Sequence, residues 1–139
     1  MKLLVADDSR LDRALFGRLL VAEGFDVLTA ANGEEALDLY QKVAIDIAIL
    51  DWMMPPTGGL TLCQEMREIE RNRGTFCYII MVTAKDEAED EVRAFESGVN
   101  DFISKPFDHD VFTARVRAGR KVVSERMALV SAVEQAKVK

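Results

Sequence analysis

Ile45-Asp46-Ile47-Ala48-Ile49-Leu50 runs directly into Asp51, and Trp52-Met53-Met54-Pro55 follows. A run so rich in β-branched and aliphatic side chains reads as a strand buried on both faces, as in a parallel sheet covered by helices. Its carboxyl end delivers one carboxylate to the edge where open α/β sheets place their ligands. The other polar motifs of the chain can be referred to Asp51.

Outward from this strand, the chain alternates. Residues 3–6 read as a first strand. Ser9 opens a helix with Asp12 at the reciprocal capping position, and Leu11, Ala14, Leu15, Leu19 and Ala22 form its apolar stripe until Gly24 stops it. Residues 25–30 form a second strand, and Asn32-Gly33-Glu34-Glu35 starts a helix that runs to Val43. After Asp51 comes a Pro/Gly loop, residues 55–59, and a helix over 60–71. Residues 77–82 are the fourth strand. Asp86 and Glu89 cap a helix carrying Ala88, Val92 and Phe95, which ends at Gly98. Residues 101–104 make a short fifth strand, and a last helix begins near Asp108. Repeated βα units of this length imply a parallel sheet with right-handed crossovers and helices on both faces.

Composition narrows the class. A chain of 139 residues, 49% hydrophobic, is one globular domain that needs no disulfide or metal staple. Its net charge of −6, from 18 basic and 24 acidic residues, argues against nonspecific binding to phosphate backbones. Cys63 and Cys77 lie in no CxxC arrangement and read as buried, reduced thiols. The apolar run that precedes Asp7, Leu3 to Ala6, has only four residues, too few for a signal peptide or a membrane span, so a cytoplasmic location is expected.

The polar motifs fall at one place. Asp7 and Asp8 follow the first strand, Asp51 the third, Thr83 the fourth and Lys105 the fifth. In a parallel sheet these ends share an edge, so three carboxylates, a hydroxyl and an ammonium can converge. Crowded carboxylates repel one another, and hard oxygen donors of that charge suit Mg2+. A nearby Lys and Thr can hold phosphoryl oxygens. The set fits phosphoryl transfer with Asp51 as nucleophile, becoming an aspartyl phosphate.

Asp7-Asp8, Asp51-Trp52-Met53-Met54-Pro55, Val82-Thr83-Ala84 and Phe102-Ile103-Ser104-Lys105-Pro106-Phe107 together resemble the receiver domain of two-component response regulators. The resemblance covers about residues 2–120 and implies a flavodoxin-like (βα)5 three-layer sandwich. Its parallel sheet would have five strands in the order 2-1-3-4-5, and an extended C-terminal helix would follow. It implies that Asp51 accepts a phosphoryl group from a sensor histidine kinase or phosphotransfer protein. Asp8 and Asp51 would contact Mg2+ (or Mn2+) directly, Asp7 would do so through water, and the Met53 backbone carbonyl would complete the protein ligands. Thr83 and Lys105 would hold the phosphoryl oxygens. The Lys105–Pro106 peptide is expected to be cis.

The resemblance also implies a switch. Thr83 moves toward the phosphoryl group, Phe102 rotates inward behind it, and the face of the fourth helix, fifth strand and fifth helix is reshaped. The added charge biases a two-state packing arrangement through its contacts to Thr83 and Lys105. Met53 and Lys85 fall at positions that tune autodephosphorylation. Asp101 and Arg115 match a dimerising charge pattern on that face, but Glu91 and Val111 depart from it.

Other readings compete with these. Asp7 and Asp8 could merely cap a helix. A haloacid-dehalogenase-type phosphatase also uses Asp, Mg2+, Thr and Lys, but it needs a second Asp where this chain has Met53. Asp51 then stores a phosphoryl group as a signal, with only its own phosphotransfer and autodephosphorylation promoted, and the chain is not a turnover enzyme. A flavodoxin-like nucleotide binder is disfavoured, since three clustered acids repel phosphate in the absence of a metal. His109 reads as a surface residue and Trp52 as partly exposed.

Residues 108–137 continue as a helix broken only by Gly119, which costs about 1 kcal/mol relative to Ala. About 30 helical residues extend roughly 45 Å, longer than such a domain requires. Phe112, Val116, Gly119, Val123, Arg126, Val130, Val133 and Lys137 follow a 4,3 spacing. The early positions can face the core. The later ones need another partner, so residues 1–120 read as the receiver domain and 121–139 as a helical extension. That extension would form a coiled-coil homodimer, connect to an output domain that is missing here or separate, or be the frayed tail of a longer protein. Residues 114–120 resemble the junction helix of regulators joined to cyclic-di-GMP-synthesising or phosphatase-like output domains. No basic stripe or winged-helix segment is present, so direct nucleic-acid binding is not expected.

Overall fold

The computed structural model describes residues 1–85 and 87–138. The strands are β1 (Lys2–Ala6), β2 (Asp26–Ala30), β3 (Ile47–Leu50), β4 (Tyr78–Thr83) and β5 (Asp101–Ser104). Between and after them come α1 (Arg10–Ala22), α2 (Gly33–Lys42), α3 (Gly59–Arg73), α4 (Ala88–Ser97) and α5 (His109–Val138). All strand pairs are parallel, in the order β2-β1-β3-β4-β5. The expected doubly wound topology is the observed one.

Alternation along the strands divides the core in two. Leu4, Ala6, Ala48, Leu50, Ile79, Met81 and Phe102 point to one face, where Ala36 and Tyr40 of α2, Leu62, Cys63 and Met66 of α3 and Ala94 of α4 cover them. Leu3, Val5, Ile47, Ile49, Ile80, Val82 and Ile103 point to the other, under Phe16 and Leu20 of α1 and Phe112, Val116 and Val123 of α5. Every residue of β3 is buried, which is why it reads as an unbroken apolar run. Each large aliphatic side chain so buried contributes about 1.5–3 kcal/mol. Cys63 and Cys77 are free and buried, as expected.

Helix ends follow local chemistry. Ser9 caps α1 by accepting from the Asp12 amide at 3.2 Å, and Asn32 caps α2 by accepting from the Glu35 amide at 2.9 Å. The N-cap of α4 is Glu87, with no side-chain hydrogen bond to the helix; the capping role read for Asp86 lies outside the described residues.

The apolar stripe of α1 differs from the expected one. Leu11 is 83% exposed and Ala14 and Ala22 are exposed, whereas Phe16 and Leu20 are buried. Two neighbouring stripes on α1 are apolar, and docking onto β1 and β2 selects the one bearing Phe16. Trp52 is only 7% exposed rather than open to solvent, packed in the core with Lys85 Nζ 5.1 Å and Arg93 Cζ 5.4 Å from its ring. His109 is exposed.

Gly119 has a packing role that its helix cost conceals. A Cβ there would stand 2.6 Å from Tyr78 Cδ1, so the missing side chain lets α5 lie against β4. The support of α5 ends a turn or two further on, after Val123 and the stack of Arg126 on Phe76. Val123 is 2% exposed, while Val130 and Val133 are 49% and 47% exposed. Among the described residues no helix is long and apolar enough to cross a membrane.

Candidate functional site

Sheet register builds the site. β1 and β3 align Ala6 with Leu50, so Asp7 and Asp51, each one residue further on, leave the same edge side by side. The Asp51 amide donates to the Ala6 carbonyl at 2.9 Å, extending the ladder to the site itself. Asp8 follows on the solvent side. One carboxylate oxygen from each of Asp7, Asp8 and Asp51 lies within 4.8 Å of the others. Asp7 and Asp51 are buried and Asp8 is exposed.

Asp51 is followed by a tightly packed loop. Its Oδ1 accepts from the Met53 amide at 3.2 Å. Trp52 and Met54 turn inward, and Met53 is 58% exposed. A Cβ on Gly59 would overlap the Asp51 carbonyl oxygen, so glycine at the start of α3 lets that helix approach the backbone of Asp51. The Gly59 amide closes the loop onto the Trp52 carbonyl at 2.9 Å.

Lys105 enters from the opposite side. Its amide donates to the Thr83 carbonyl at 2.7 Å, and the peptide to Pro106 is cis, as expected. Its ammonium donates to Asp7 Oδ2 at 2.9 Å and to Asp12 Oδ2 at 2.8 Å, and stands 3.6 Å from Asp51 Oδ2. Thr83 closes β4 on the same edge, and its hydroxyl accepts from the Lys85 amide at 3.4 Å. Phe102 lies on β5 and is buried in the same core layer as Trp52 and Met54. Asp101 and Arg115 pair with each other within the chain, at 2.9 Å.

Asp12 is the member of this cluster that capping logic misplaced. The reciprocal bond to the Ser9 amide comes from Asp7 Oδ1 at 2.9 Å, so the Asp12 carboxylate turns to Lys105 instead. A sequence signal existed. An acid in the first turn of a helix that opens at the carboxyl edge of the sheet faces the same space as Asp7 and Asp51.

The charges explain the electrostatics. Burial, then the neighbouring charge of Asp7, push the Asp51 carboxyl up to about 6, against the pull of Lys105. Partial burial lowers the pKa of the Lys105 ammonium, but the hydrogen bonds it donates to Asp12 and Asp7 and the charge of Asp51 outweigh it and raise the value. Three converging carboxylates that repel one another, with oxygen donors only, fit a hard divalent cation. The arrangement therefore brings together a buried carboxylate, an acidic cluster that could hold a cation, and an ammonium.

Residues 3–117 match the family model for the response regulator receiver domain. The alkaline phosphatase synthesis transcriptional regulatory protein PhoP of Bacillus subtilis is 38% identical over 117 residues, which are 84% of this chain and 47% of that protein. The chain spans about half the length of the curated relatives it matches. Among solved structures, the receiver domain of Francisella response regulator 1452 superposes with a TM-score of 0.77 at 32% identity, covering 86% of this chain and 96% of that one. A CheY-like receiver domain protein of Methanospirillum hungatei JF-1 shares the fold with a TM-score of 0.82 at 21% identity, covering 90% of this chain and 97% of that one. With the sheet order, the acidic edge and these matches in agreement, the chain belongs to the response regulator receiver domain family.

Proposed function

We propose that this receiver domain accepts a phosphoryl group on Asp51 from the phosphohistidine of a sensor histidine kinase or phosphotransfer protein. The observation that carries the reading is the position of Lys105 Nζ, 2.9 Å from Asp7 Oδ2 and 3.6 Å from Asp51 Oδ2, beside three converging carboxylates. An Asp51 oxygen attacks phosphorus, the bond from phosphorus to the donor nitrogen breaks, and the imidazole leaves. Lys105 and Thr83 hold the phosphoryl oxygens. Asp8, Asp51 and the Met53 carbonyl, with Asp7 acting through water, would hold Mg2+ (or Mn2+), which when bound would neutralise charge on the transferred group.

No second acid stands two residues after Asp51, where Met53 is, so the phosphoryl group is stored as a signal. Phosphorylation acts on Thr83 and Phe102 and through them on the face of α4, β5 and α5. Residues 1–120 form the receiver unit. Residues 121–139 carry the signal outward, through a helix-mediated homodimer or to an output domain on the same or another chain. The relatives' names as transcriptional regulators favour an output that acts on transcription, with no direct nucleic-acid contact by this domain.

Incubation with acetyl phosphate followed by intact-mass measurement tests the reading. The wild-type chain is expected to gain one phosphoryl group only when Mg2+ is present, and Asp51→Ala none. Full labelling of Asp51→Ala overturns the assignment.

A further inference from the structure

The Lys105 ammonium has three N–H donors, and three carboxylates surround it. Two donors are committed, to Asp7 Oδ2 at 2.9 Å and to Asp12 Oδ2 at 2.8 Å, while Asp51 Oδ2 remains at 3.6 Å. Asp12 is thus nearer to Lys105 than is the proposed phosphoacceptor. Its carboxylate is not needed for capping, because Asp7 Oδ1 takes the Ser9 amide.

The contact is built into the packing of α1. Asp12 and Phe16 are four residues apart and share one face of the helix. Phe16 stacks on Phe107 with ring centroids 5.4 Å apart, and Phe107 packs on Phe112 at 5.1 Å. Phe107 lies two residues beyond Lys105. The aromatic stack therefore holds the Lys105 segment against the face of α1 that presents Asp12.

The three acceptors differ in burial. The side chain of Asp12 is 36% exposed, against 2% for Asp7 and 9% for Asp51. Solvent screens the Asp12 pair most, so it is the arm of the triad most readily released.

We propose that Asp12 is a positioning residue that holds the Lys105 ammonium back from Asp51 in the unphosphorylated state and yields it when phosphoryl oxygens appear there. The inference rests on the reading of Asp51 as phosphoacceptor. Asp12 touches no reacting atom. It acts by drawing the Lys105 ammonium toward the first turn of α1 and away from Asp51, and so links the chemistry of Asp51 to that turn.

The test uses the full chain with Mg2+ and beryllofluoride as the phosphoryl mimic, titrated by fluorine NMR. Asp12→Asn is expected to bind beryllofluoride about two- to fivefold more tightly than wild type, the scale of one partly exposed ion pair. Asp12→Glu, which keeps a carboxylate, is expected to return within about twofold of wild type. A double-mutant cycle on the acetyl phosphate labelling rate isolates the route. Asp12→Asn should speed labelling in the wild-type background and change it less than about twofold in Lys105→Met.

If Asp12→Asn binds no more tightly than wild type, or speeds labelling equally in the Lys105→Met background, the positioning role is wrong. A merely structural Asp12 would lower the melting temperature without tightening the mimic. Failure of the underlying reading looks different: wild type would bind no beryllofluoride and Asp51→Ala would still be labelled, and both proposals would fall together.

Discussion

Lys105 Nζ lies 3.6 Å from Asp51 Oδ2, at the outer range of an ion pair, while Asp7 draws it to 2.9 Å. One ammonium thus compensates a cluster of acids whose members approach one another within 4.8 Å. Lys105→Met leaves that charge unopposed. We expect it to lower stability in metal-free buffer by about 1–3 kcal/mol, less than for a fully buried pair because water reaches the site. Labelling by acetyl phosphate should slow by roughly 10- to 100-fold, as when one donor to a developing anion is removed. Urea unfolding and timed intact-mass measurement report the two effects separately.

The Asp51 carboxyl gives a pH signature. Its ordinary value is 3.8, and the folded protein raises it to about 6. Between those values Asp51 binds more proton in the folded state than in the unfolded chain, so its contribution to stability is greatest below about 4 and is lost as pH rises through about 6. Asp51→Asn removes this loss. In buffer containing EDTA the variant should match wild type near pH 4 and exceed it above pH 7 by about 1–2 kcal/mol, the shift being discounted for solvent screening. Chemical denaturation across that range checks it, and parallel curves for the two proteins would refute the electrostatic account.

Divalent metal should reverse the same penalty. At ten times its dissociation constant, Mg2+ is expected to stabilise the wild-type chain by about 1.4 kcal/mol at neutral pH. Thermal melts with increasing Mg2+ should therefore rise for wild type and stay flat for Asp8→Ala and Asp51→Asn. An equal rise in Asp8→Ala would mean that the cation binds elsewhere.

Gly119 separates helix propensity from packing. Propensity alone says that Gly119→Ala stabilises α5 by about 1 kcal/mol. The Tyr78 ring atoms at 2.6 and 2.7 Å from the new Cβ say the opposite. We expect net destabilisation of about 1–3 kcal/mol from overpacking. A raised melting temperature would show that α5 can shift off Tyr78.

The free end of α5 predicts association. Leu129, Val130 and Val133 are exposed on a helix segment that long helices do not sustain without a partner. Light scattering should give a dimer mass for the full chain and a monomer mass after deletion of residues 127–139. The shortened protein should keep its cooperative unfolding, since Val123 and the Arg126 stack on Phe76 are retained. A monomeric full chain would remove the dimer from the proposal.

Several features were legible without coordinates because they depend on local chemistry. The unbroken apolar run before Asp51 needs burial on both sides, and Ser9 and Asn32 mark helix starts with their own side chains. The acidic edge was legible too, since parallel strands must end on one side. The stripe of α1 was not, because Leu11, Leu15 and Leu19 lie next to Phe16 and Leu20 on the helix surface and periodicity favours neither set. The burial of Trp52 was not legible, because a residue that follows a strand end can turn either into the core or out to solvent.

By itself the sequence determined the order of strands and helices, the parallel sheet and which polar residues reach its carboxyl edge. These follow from hydrophobic period, turn residues and chain connectivity, all properties of neighbouring residues. Only the tertiary structure decided how the charges are shared at that edge. Lys105 and Asp12 are 93 residues apart, and their meeting depends on α1 docking through Phe16 onto Phe107. Partners of an ammonium are set by distances of a few tenths of an ångström, and those arise from packing that no local pattern encodes.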